Sequence, residues 1–370
     1  MNAYTEIPMV PGPTTLHPDA LAAMGRDYGS GQIETAYLQL YADTQKLLGT
    51  LAGTGNDMVI MTGEGMLALW GALKSCLAPG DRVLSVATGV FGDGIGDMAA
   101  GLGCEVRKIT LPFNATLDDL TAVEEAVDRF RPRMITAVHC ETPSGTLNPL
   151  AELGRLKAAM NVPLFYVDAV ASLGGAPVMA DDWHVDLLLG GSQKCLSAPP
   201  SMAFVGVSPA AWEAVEQRAY QGYDALGPFR TVHSDGRCPY TPYWHGTAAL
   251  HAAAAAIVAE GTEQVFARHR NVARQCRDGL QEMGIRLFTA ENAVNSPTVT
   301  AALVPRGWEC AAWLQALAAR GLRAAGSFGP MAGKVFRLGH MGTQAHPRLM
   351  EKALQVMAQV LEQGPAASRR

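Results

Sequence analysis

The sequence predicts an α/β protein built around a largely parallel β-sheet. Short apolar segments alternate with longer amphipathic segments between residues 57 and 208. The apolar segments carry almost no charge and are bounded by glycine and proline turns, as expected of strands that are buried on both faces of a sheet. Helices of about ten or more residues between such strands are typical of crossovers between parallel strands. Sheets of this kind bind ligands beyond the carboxyl ends of their strands.

The elements of this first part follow one another in a regular order. The segment 65–77 carries Leu67, Trp70, Leu73 and Leu77 at helical spacing, directly after a strand and a glycine turn. Further helices are predicted at 117–130 and 150–160. The predicted strands are 57–63, 82–87, 105–111, 133–141, 162–170, 185–194 (a strand that runs into a glycine turn and a lysine) and 202–208.

The pattern changes after Tyr243, where an alanine-rich helix at 246–260 runs into a charged helical stretch that ends near Met283. Strands at 285–290, 298–304 and 333–340 then alternate with helices at 310–321 and 349–363, which indicates an α+β segment. We therefore predict a large domain at 1–255, which includes the N-terminal segment, and a smaller C-terminal domain at 256–370.

Composition excludes several classes of protein. A net charge of -5 and the lack of a basic stripe argue against a nucleic-acid binder. No stretch is long and apolar enough to cross a membrane. The seven cysteines are scattered and form no C-x-x-C pair, which argues against a disulfide framework or a metal site. These features predict a soluble cytoplasmic protein without a metal.

Four polar residues and one aromatic residue lie near the points where several of the predicted strands end. These residues are Glu64, Phe91 (the aromatic member), Thr142, Asp168 and Lys194. Because the carboxyl ends of parallel strands meet at one edge of a sheet, we expect these side chains to cluster there.

Lys194 is the strongest candidate for chemistry. It follows an apolar strand and a Gly-Gly turn, where burial would lower the pKa of its amine and favour the neutral nucleophile that Schiff-base formation needs. Ser192 and Gln193 beside it are suited to donate hydrogen bonds to a phosphate. The alternative is a solvated loop lysine, which is the more frequent case for a lysine taken at random.

Asp168 ends the very apolar strand FYVD. A carboxylate in that position is costly unless a cation compensates it, and a protonated pyridine nitrogen is such a cation. A helix cap or a turn aspartate is the alternative.

These two contexts, YVDAVASLGG and GSQKCLSAPP, resemble class V aminotransferases of pyridoxal-phosphate fold type I, in the alanine–glyoxylate and serine–pyruvate aminotransferase group. PGPTTLHPDAL near the start, TPSGTLNP and VFRLGHMG extend the resemblance over nearly the whole chain. The resemblance implies a mostly parallel seven-stranded sheet in a large domain, a smaller C-terminal domain, and pyridoxal 5'-phosphate as the cofactor.

The resemblance also implies roles around the cofactor ring. Lys194 would form the internal aldimine and move the proton between substrate and cofactor, and Asp168 would pair with the pyridine nitrogen. Phe91 would stack on the ring. The glycines that flank it indicate that it lies in a loop. Thr142 and Ser144 would lie beside the ring.

A second set of residues would hold the phosphate. Ser192 and Gln193 match ligands on the phosphate side, and the turn of Glu64, Gly65 and Met66 matches a helix N-terminus that binds it. Thr241 matches a phosphate contact supplied by the other subunit, which implies a homodimer with shared active sites.

Arg337 matches the arginine that binds the substrate α-carboxylate, a task suited to the bidentate guanidinium. Arg26 and Lys334 are weaker candidates for binding charge. His139 and His340 are more simply read as structural histidines, and Cys195 as a packing residue.

Three positions depart from the family pattern. Glu64 stands where many relatives have a small residue beside the phosphate, Cys238 replaces a tyrosine, and Phe328 replaces a second arginine. The first two remove favourable phosphate contacts. They leave open a pyridoxamine–pyruvate aminotransferase, which uses the unphosphorylated vitamer as a substrate and which this sequence also resembles.

The sequence therefore predicts a transaminase that moves an amino group between a small amino acid such as alanine or serine and a small 2-oxo acid such as pyruvate or glyoxylate. Three alternatives remain: the pyridoxamine–pyruvate aminotransferase, a lyase or desulfurase on the same fold, and a non-catalytic subunit. The presence of Lys194, Asp168 and Arg337 together argues against the last.

Overall fold

The computed structural model describes residues 7–32 and 34–365. Its strands are β1 (Ile7–Pro8), β2 (Asp57–Thr62), β3 (Arg82–Ala87), β4 (Glu105–Thr110), β5 (Met134–Val138), β6 (Cys140–Glu141), β7 (Thr146–Leu147), β8 (Leu164–Asp168), β9 (Leu187–Gly191), β10 (Met202–Val207), β11 (Val299–Leu303), β12 (Leu322–Arg323), β13 (Ala325–Gly326) and β14 (Val335–Gly339). Its α-helices are α1 (Pro18–Met24), α2 (Thr35–Ala52), α3 (Gly65–Cys76), α4 (Val90–Gly101), α5 (Thr121–Phe130), α6 (Ala151–Ala159), α7 (Pro209–Arg218), α8 (Val232–Asp235), α9 (Trp244–Glu260), α10 (Thr262–Glu282), α11 (Cys310–Ala318) and α12 (Pro347–Gln363).

The predicted sheet is confirmed. Within the described ranges it has seven strands in the order β2-β10-β9-β8-β5-β3-β4. Strands β9, β8, β5, β3 and β4 follow one another in parallel, whereas β10 runs antiparallel to its neighbours β2 and β9. Every residue of β5, β8, β9 and β10 is buried, which explains why these strands read as continuous apolar runs.

Two hydrophobic cores cover the two faces of this sheet. Successive residues of β8 alternate between them, because side chains along a strand point to opposite faces. Phe165 and Val167 pack in the core that includes Tyr41 of α2, and Tyr166 packs in the core that includes Leu69 of α3. Helices on both faces leave the strand ends as the open edge.

Helix α3 brings its N-terminus close to that edge. Only Gly63 and Glu64 separate β2 from α3. The helix start lies against β9, since a Cβ on Gly191 would come within 3.2 Å of the Gly65 backbone. The first N–H groups of a helix have no partner within the helix, so this one can offer donors to a ligand.

The C-terminal part forms a second, smaller unit. Strands β11, β14 and β13 make an antiparallel sheet, packed against a core that includes Trp313, Phe336 and Met357. The N-terminal strand β1 joins this unit by pairing in parallel with β12. Helix α9 runs through residue 255 without a break, and the domain boundary there stays a prediction.

Two predicted strands differ from the structure. The segment 285–290 makes a single bridge, Leu287 with Ala302, rather than a strand, because its backbone leaves β11 and the Ala290 N–H donates to Asn114 instead. The segment 133–141 divides into β5 and the short strand β6, which pairs with β7 in a hairpin at 140–147. The division falls at His139, whose N–H donates to the Asp168 carbonyl.

Among residues 7–32 and 34–365, no helix has the length and apolar character needed to span a membrane. The same residues hold no group of three or more His, Cys, Asp and Glu side chains placed to bind a metal ion.

Candidate active site

Eight of the residues predicted from the sequence line one cavity at the carboxyl edge of the large sheet. The space within this cavity is about 610 Å³, a figure that includes its opening to solvent. The eight are Glu64, Gly65, Met66, Phe91, Thr142, Asp168, Gln193 and Lys194. They come from several separate elements, so the sheet brings together residues that are far apart in the sequence.

Lys194 lies in the turn after β9, and its side chain is held against the N-terminal segment. Its Nζ donates a hydrogen bond to the Pro11 carbonyl at 2.7 Å. Burial, and next the charge of Arg337, lower the pKa of the amine below its ordinary value, against the opposing effects of Cys140, Asp168 and Cys195. The neutral, nucleophilic form of the amine is therefore favoured.

Gly12 is a site residue that the sequence analysis did not identify. A Cβ on Gly12 would lie 2.5 to 2.9 Å from Cδ, Nζ and Cε of Lys194, and the glycine has φ of +89°. Both the space and the backbone conformation therefore require glycine here. The segment PGPTT contributes to the family resemblance, but its contact with Lys194 depends on tertiary structure.

The segment around Gly12 is anchored on both sides. Thr14 donates to the carbonyls of Gln193 and Lys194, at 3.0 Å each. On the other side, Met9 accepts from the Gly339 N–H and Val10 accepts from the Gln344 side chain. The lysine turn and the C-terminal sheet thus meet through this segment.

Asp168 ends β8 and is 6% exposed. Burial raises the pKa of its carboxyl to about 6, although the Val170 N–H at 2.9 Å and the Lys194 charge both favour the ionised form. Among the described residues, Lys194 is the charge that stabilises this carboxylate. Asp168 is therefore placed to gain strongly from a cationic ligand group.

Glu64 and Gln193 meet at the start of α3. Glu64 is the N-cap residue of the helix and is exposed, and its Oε2 accepts from Gln193 Nε2 at 3.2 Å. Gln193 Oε1 is buried and finds no hydrogen-bond partner in the described part of the chain. Because Oε1 is an acceptor, a group that satisfied it would have to be a hydrogen-bond donor, which a phosphate dianion is not.

Ser192 is not placed as its predicted role requires. Its side chain is fully buried, donates to the Pro199 carbonyl and accepts from the Met202 N–H at 3.2 Å, and it does not line the cavity. The hydroxyl closes the turn that carries Lys194, because a buried turn must satisfy its own backbone groups.

Phe91 lines the cavity, but the expectation of a loop there is wrong. It is the second residue of α4, with its ring partly buried. The flanking glycines suggested a loop, but they belong to a helix start that a distant carboxylate caps: Glu141 Oε2 and Oε1 accept from the N–H groups of Phe91 and Gly92 at 3.1 and 2.7 Å.

Thr142 and Ser144 lie in the hairpin at 140–147. Thr142 lines the cavity, and its carbonyl lies 3.5 Å from Nη1 of Arg337. Ser144 is fully buried and is hydrogen-bonded to Glu141 and Thr146 within the hairpin, so its hydroxyl does not reach the cavity lining.

Arg337 lies at the centre of β14 and is 4% exposed. Its Nε and Nη2 donate to the Gly326 carbonyl at 2.8 and 2.6 Å, and the Phe328 ring covers its guanidinium at 4.5 Å. Burial lowers the pKa of the guanidinium to about 10. No acidic side chain among residues 7–32 and 34–365 pairs with it, and its charge reaches Lys194.

Thr241 lies apart from this cavity. It is exposed and lines a second pocket with Tyr37, Thr62 and Tyr240. The weaker candidates also lie outside the cavity lining: Arg26 is exposed, and Lys334 Nζ donates to the Pro330 carbonyl.

The histidines and Cys195 occupy structural positions. Burial lowers the pKa of His139 to about 4 and that of His340 to about 3, so both are neutral. His139 is hydrogen-bonded to Ser172, and His340 to Thr300. Cys195 is buried, and its thiol donates to the Ala171 carbonyl, in line with a packing role.

The cavity fits pyridoxal phosphate. Lys194 offers a buried amine with a lowered pKa, Asp168 a buried carboxylate with a raised pKa, and Gly65 and Met66 the first N–H groups of a helix. Gln193 can give a phosphate a hydrogen bond through Nε2, which here donates to Glu64, but not through Oε1. Glu64 is the one lining residue that opposes a phosphate.

Comparison with known proteins agrees with this geometry. The family model for class V aminotransferases matches residues 24–334. The chain is 35% identical to an uncharacterised aminotransferase of Methanocaldococcus jannaschii, over 92% of this chain and 89% of that one. It is 32% identical to the pyridoxamine–pyruvate transaminase of Mesorhizobium japonicum, over 94% and 89%.

The fold also matches the crystal structure of an alanine–glyoxylate aminotransferase from Nostoc sp., with a TM-score of 0.93 and 29% identity over 98% of this chain and 96% of that one. A family model that covers most of the chain, relatives of this identity and a cavity fitted to the cofactor agree. The chain belongs to the class V aminotransferases of fold type I, pyridoxal-phosphate-dependent enzymes that exchange amino groups between amino acids and 2-oxo acids.

Proposed function

We propose that this enzyme transfers an amino group between a small amino acid, such as alanine or serine, and a small 2-oxo acid, such as pyruvate or glyoxylate. The observation that carries the proposal is Arg337, a buried guanidinium without an acidic partner in the described ranges, whose charge reaches Lys194. A substrate α-carboxylate supplies the missing anion, and a planar guanidinium binds it through two hydrogen bonds.

Lys194 binds the cofactor covalently in this proposal and moves the proton. Its lowered pKa favours the neutral amine, which is the form that acts as a nucleophile and as a base for the α-proton of the amino donor, more than in an exposed lysine. Pyridoxal phosphate, when bound, supplies an electron sink for the negative charge that develops on the α-carbon. The Pro11 carbonyl gives the Lys194 amine a fixed hydrogen-bond acceptor when it is free.

The other lining residues bind and orient. Asp168 would pair with the ring nitrogen and keep it protonated, and Phe91 and Thr142 line the cavity that would hold the ring. Gly65, Met66 and Gln193 hold the phosphate; Ser192 contributes by closing the turn rather than by a direct contact. The positions of these residues in the structure support the roles proposed for them.

The substrate is small because the cavity offers no second site for a carboxylate. Among its lining residues, all of which the structure describes, Lys194 is the one cation, and Arg337, which would bind the α-carboxylate, lies outside that lining. The ring of Phe328, rather than a charged group, covers Arg337. A side-chain carboxylate of the substrate would therefore be buried without a partner, which costs more than the about 2–7 kcal/mol of an unpaired neutral polar group. The likeness to an alanine–glyoxylate aminotransferase supports the same choice.

The test is the half-reaction of the purified holoenzyme with single amino acids, followed by absorbance. L-Alanine or L-serine should bleach the cofactor band and pyruvate or glyoxylate should restore it, whereas L-aspartate should react far more slowly. Arg337→Lys should raise the KM for alanine by about 10- to 100-fold with a smaller effect on kcat, because an ammonium binds a carboxylate less specifically. A spectrum that no small amino acid changes, or equal rates with aspartate, would refute the proposal.

A second candidate, pyridoxamine–pyruvate transamination, is favoured by one observation. Glu64 places a carboxylate at the helix start where a phosphate would lie, and the relative from Mesorhizobium japonicum carries that activity in its name. Mass spectrometry of the ligand released from the purified protein separates the two. A tightly bound phosphorylated vitamer excludes this candidate, and turnover of free pyridoxamine with pyruvate excludes the first.

The proposal includes a homodimer in a reducing compartment, the cytoplasm. Thr241 is exposed and away from the Lys194 cavity of its own chain, so a phosphate contact from it requires a second copy. All seven cysteines are free thiols, which suits a reducing environment. Light scattering tests the dimer, and activity recovered on mixing inactive Lys194→Ala and Thr241-altered chains would test the sharing of sites.

A further inference from the structure

Glu141 is a carboxylate that the proposed function does not use. It lies in β6 with no exposed surface, and it does not line the cavity. Its two oxygens accept from the N–H groups of Phe91 and Gly92 at the start of α4. Among the described residues, these two N–H groups are what favours its charge, whereas Asp168 and Asp93 oppose it. A buried carboxylate is costly, so a position of this kind needs a reason.

The neighbouring glycines, Gly89 and Gly92, leave room for this carboxylate. A Cβ on Gly89 would lie 2.4 to 2.6 Å from Cδ, Cγ and Oε2 of Glu141, and one on Gly92 would lie 3.3 Å from Oε1. Gly89 is the N-cap of α4 and has no side chain to cap the helix. Glu141 therefore does from a distant hairpin what a serine or aspartate usually does from the N-cap position itself.

The hairpin that carries Glu141 also contacts Arg337, which lies outside the cavity lining. The Thr142 carbonyl lies 3.5 Å from Nη1 of Arg337, and the Pro143 carbonyl accepts from the Ser327 hydroxyl at 2.7 Å. One short hairpin thus connects the helix turn bearing Phe91 with the strand bearing Arg337.

We propose that Glu141 is a positioning residue, which sets the Phe91 ring at the cofactor site by binding the first turn of α4 and ties that turn to the hairpin beside Arg337. An ordinary cap from residue 89 would stabilise the helix but would leave it free of the hairpin. The inference rests on the proposed place of Phe91 beside the cofactor. It adds the residue that holds the ring there.

The test compares Glu141→Gln with Asp119→Ala in the holoenzyme. Asp119 caps α5 through the Thr121 N–H and lies outside the cavity lining, so it controls for the loss of a helix cap as such. Glu141→Gln should weaken cofactor binding about five- to tenfold, and reduce the visible circular dichroism of the bound cofactor, because the ring loses its fixed position. Asp119→Ala should lower the thermal midpoint and leave both cofactor readouts unchanged.

A double-mutant cycle with Phe91→Leu identifies the route of the effect. If Glu141 acts through Phe91, then Glu141→Gln should add little to the loss of cofactor affinity once the ring is gone. Additive losses, or an unaltered dissociation constant and dichroism in Glu141→Gln, would overturn the inference. If Glu141→Gln fails to fold, Gly89→Ala is the substitute test, because its methyl group would displace the Glu141 carboxylate and should weaken cofactor binding in the same way. Unchanged cofactor binding in Gly89→Ala would also contradict the inference.

Failure of the inference can be told apart from failure of the proposed function. If Phe91→Leu weakens cofactor binding but Glu141→Gln does not, the cofactor site stands and the positioning role falls. If Phe91→Leu itself leaves cofactor binding unchanged, the place of Phe91 in the proposed function falls, and the inference falls with it.

Discussion

The two ends of the cavity are built on different principles. At the inner end, Asp168 and Lys194 are buried and their charged forms are poorly compensated, with the pKa of Asp168 raised and that of Lys194 lowered. At the outer end, Glu64 and Met66 are exposed, and Glu64 is already hydrogen-bonded to Gln193. The inner end holds buried charges that a ligand would compensate, whereas at the outer end the charged group, the Glu64 carboxylate, is exposed and already has a partner.

This difference indicates which features of the enzyme are fixed and which can vary. A buried and unpaired charge costs folding free energy, so it persists where a bound group repays that cost through specific chemistry. An exposed carboxylate costs little and can change the ligand preference without loss of the fold. The inner end should therefore determine the reaction, and the outer end the choice of vitamer.

Lys194→Ala is expected to cause the largest loss in the rate of the alanine half-reaction. Loss of the amine removes both the covalent attachment of the cofactor and the base, so the rate of the alanine half-reaction should fall on the order of 10⁴-fold or more. Stopped-flow absorbance measures this rate, and borohydride should no longer fix the cofactor to the protein. Lys334→Ala, at an exposed lysine bonded to the Pro330 carbonyl, is the control and should retain full activity. Comparable rates in the two variants would break the assignment of the inner end.

Asp168→Asn should have the next largest effect. An amide keeps the shape but cannot hold the ring nitrogen in its protonated form, so the half-reaction should slow by about 10²- to 10³-fold, the scale seen when one preorganised electrostatic contact is lost. The rate at saturating alanine is the measurement. Asn should still accept the Val170 N–H that the carboxylate accepts at 2.9 Å, so the fold should persist. An unchanged rate would contradict a role for this carboxylate in the chemistry.

Lys194 and Asp168 could be predicted from the sequence, because each lies at or just after the end of a buried parallel strand. The strand pattern fixes where such residues meet, and burial explains their altered acidity. Gly12 and Glu141 could not be found in that way, since their contacts join segments that are distant in the chain. For Phe91 the glycines suggested a loop, whereas Gly89 is there to admit the Glu141 carboxylate. The hydroxyl of Ser192 was assigned to the phosphate, although the buried turn around it requires that hydroxyl.

Gly12→Ala tests how closely the inner end is packed. A methyl group would overlap the Lys194 side chain and would strain a backbone at φ of +89°, so the amine must move. A shift of about 1 Å in a reacting group can cost about 10²-fold in rate, and we expect kcat to fall to that extent. Gly80→Ala is a matched control, because Gly80 has φ of +87° and nothing within 4 Å of its added Cβ. Equal losses in both variants would attribute the effect to backbone strain.

The stability of the cofactor-free protein should depend on pH, because the Asp168 carboxylate at the inner end is buried. The folded-state pKa of Asp168 is about 6, above its ordinary value of 3.8, so the folded protein binds more protons than the unfolded chain between these values. Its stability contribution therefore falls as the pH rises through that window and stays low above it. Thermal melts should show Asp168→Asn more stable than wild type by at least about 2 °C at neutral pH, with the gap closing near pH 4. A gap that does not change with pH would contradict the buried, uncompensated carboxylate.

The smallest effect is expected at the outer end, from Glu64→Ser. Removing an exposed carboxylate beside the helix start relieves a repulsion of about 1 kcal/mol, which corresponds to about fivefold tighter binding of pyridoxal phosphate relative to pyridoxal. Equilibrium titration of the cofactor-free protein with both vitamers measures the ratio, and Glu105→Ser, at an exposed glutamate of β4 outside the cavity lining, is the control. Salt should shrink the Glu64 effect, because solvent ions screen an exposed charge. If the ratio does not change, Glu64 points away from the phosphate, and the choice of vitamer depends on the helix start and Gln193 instead.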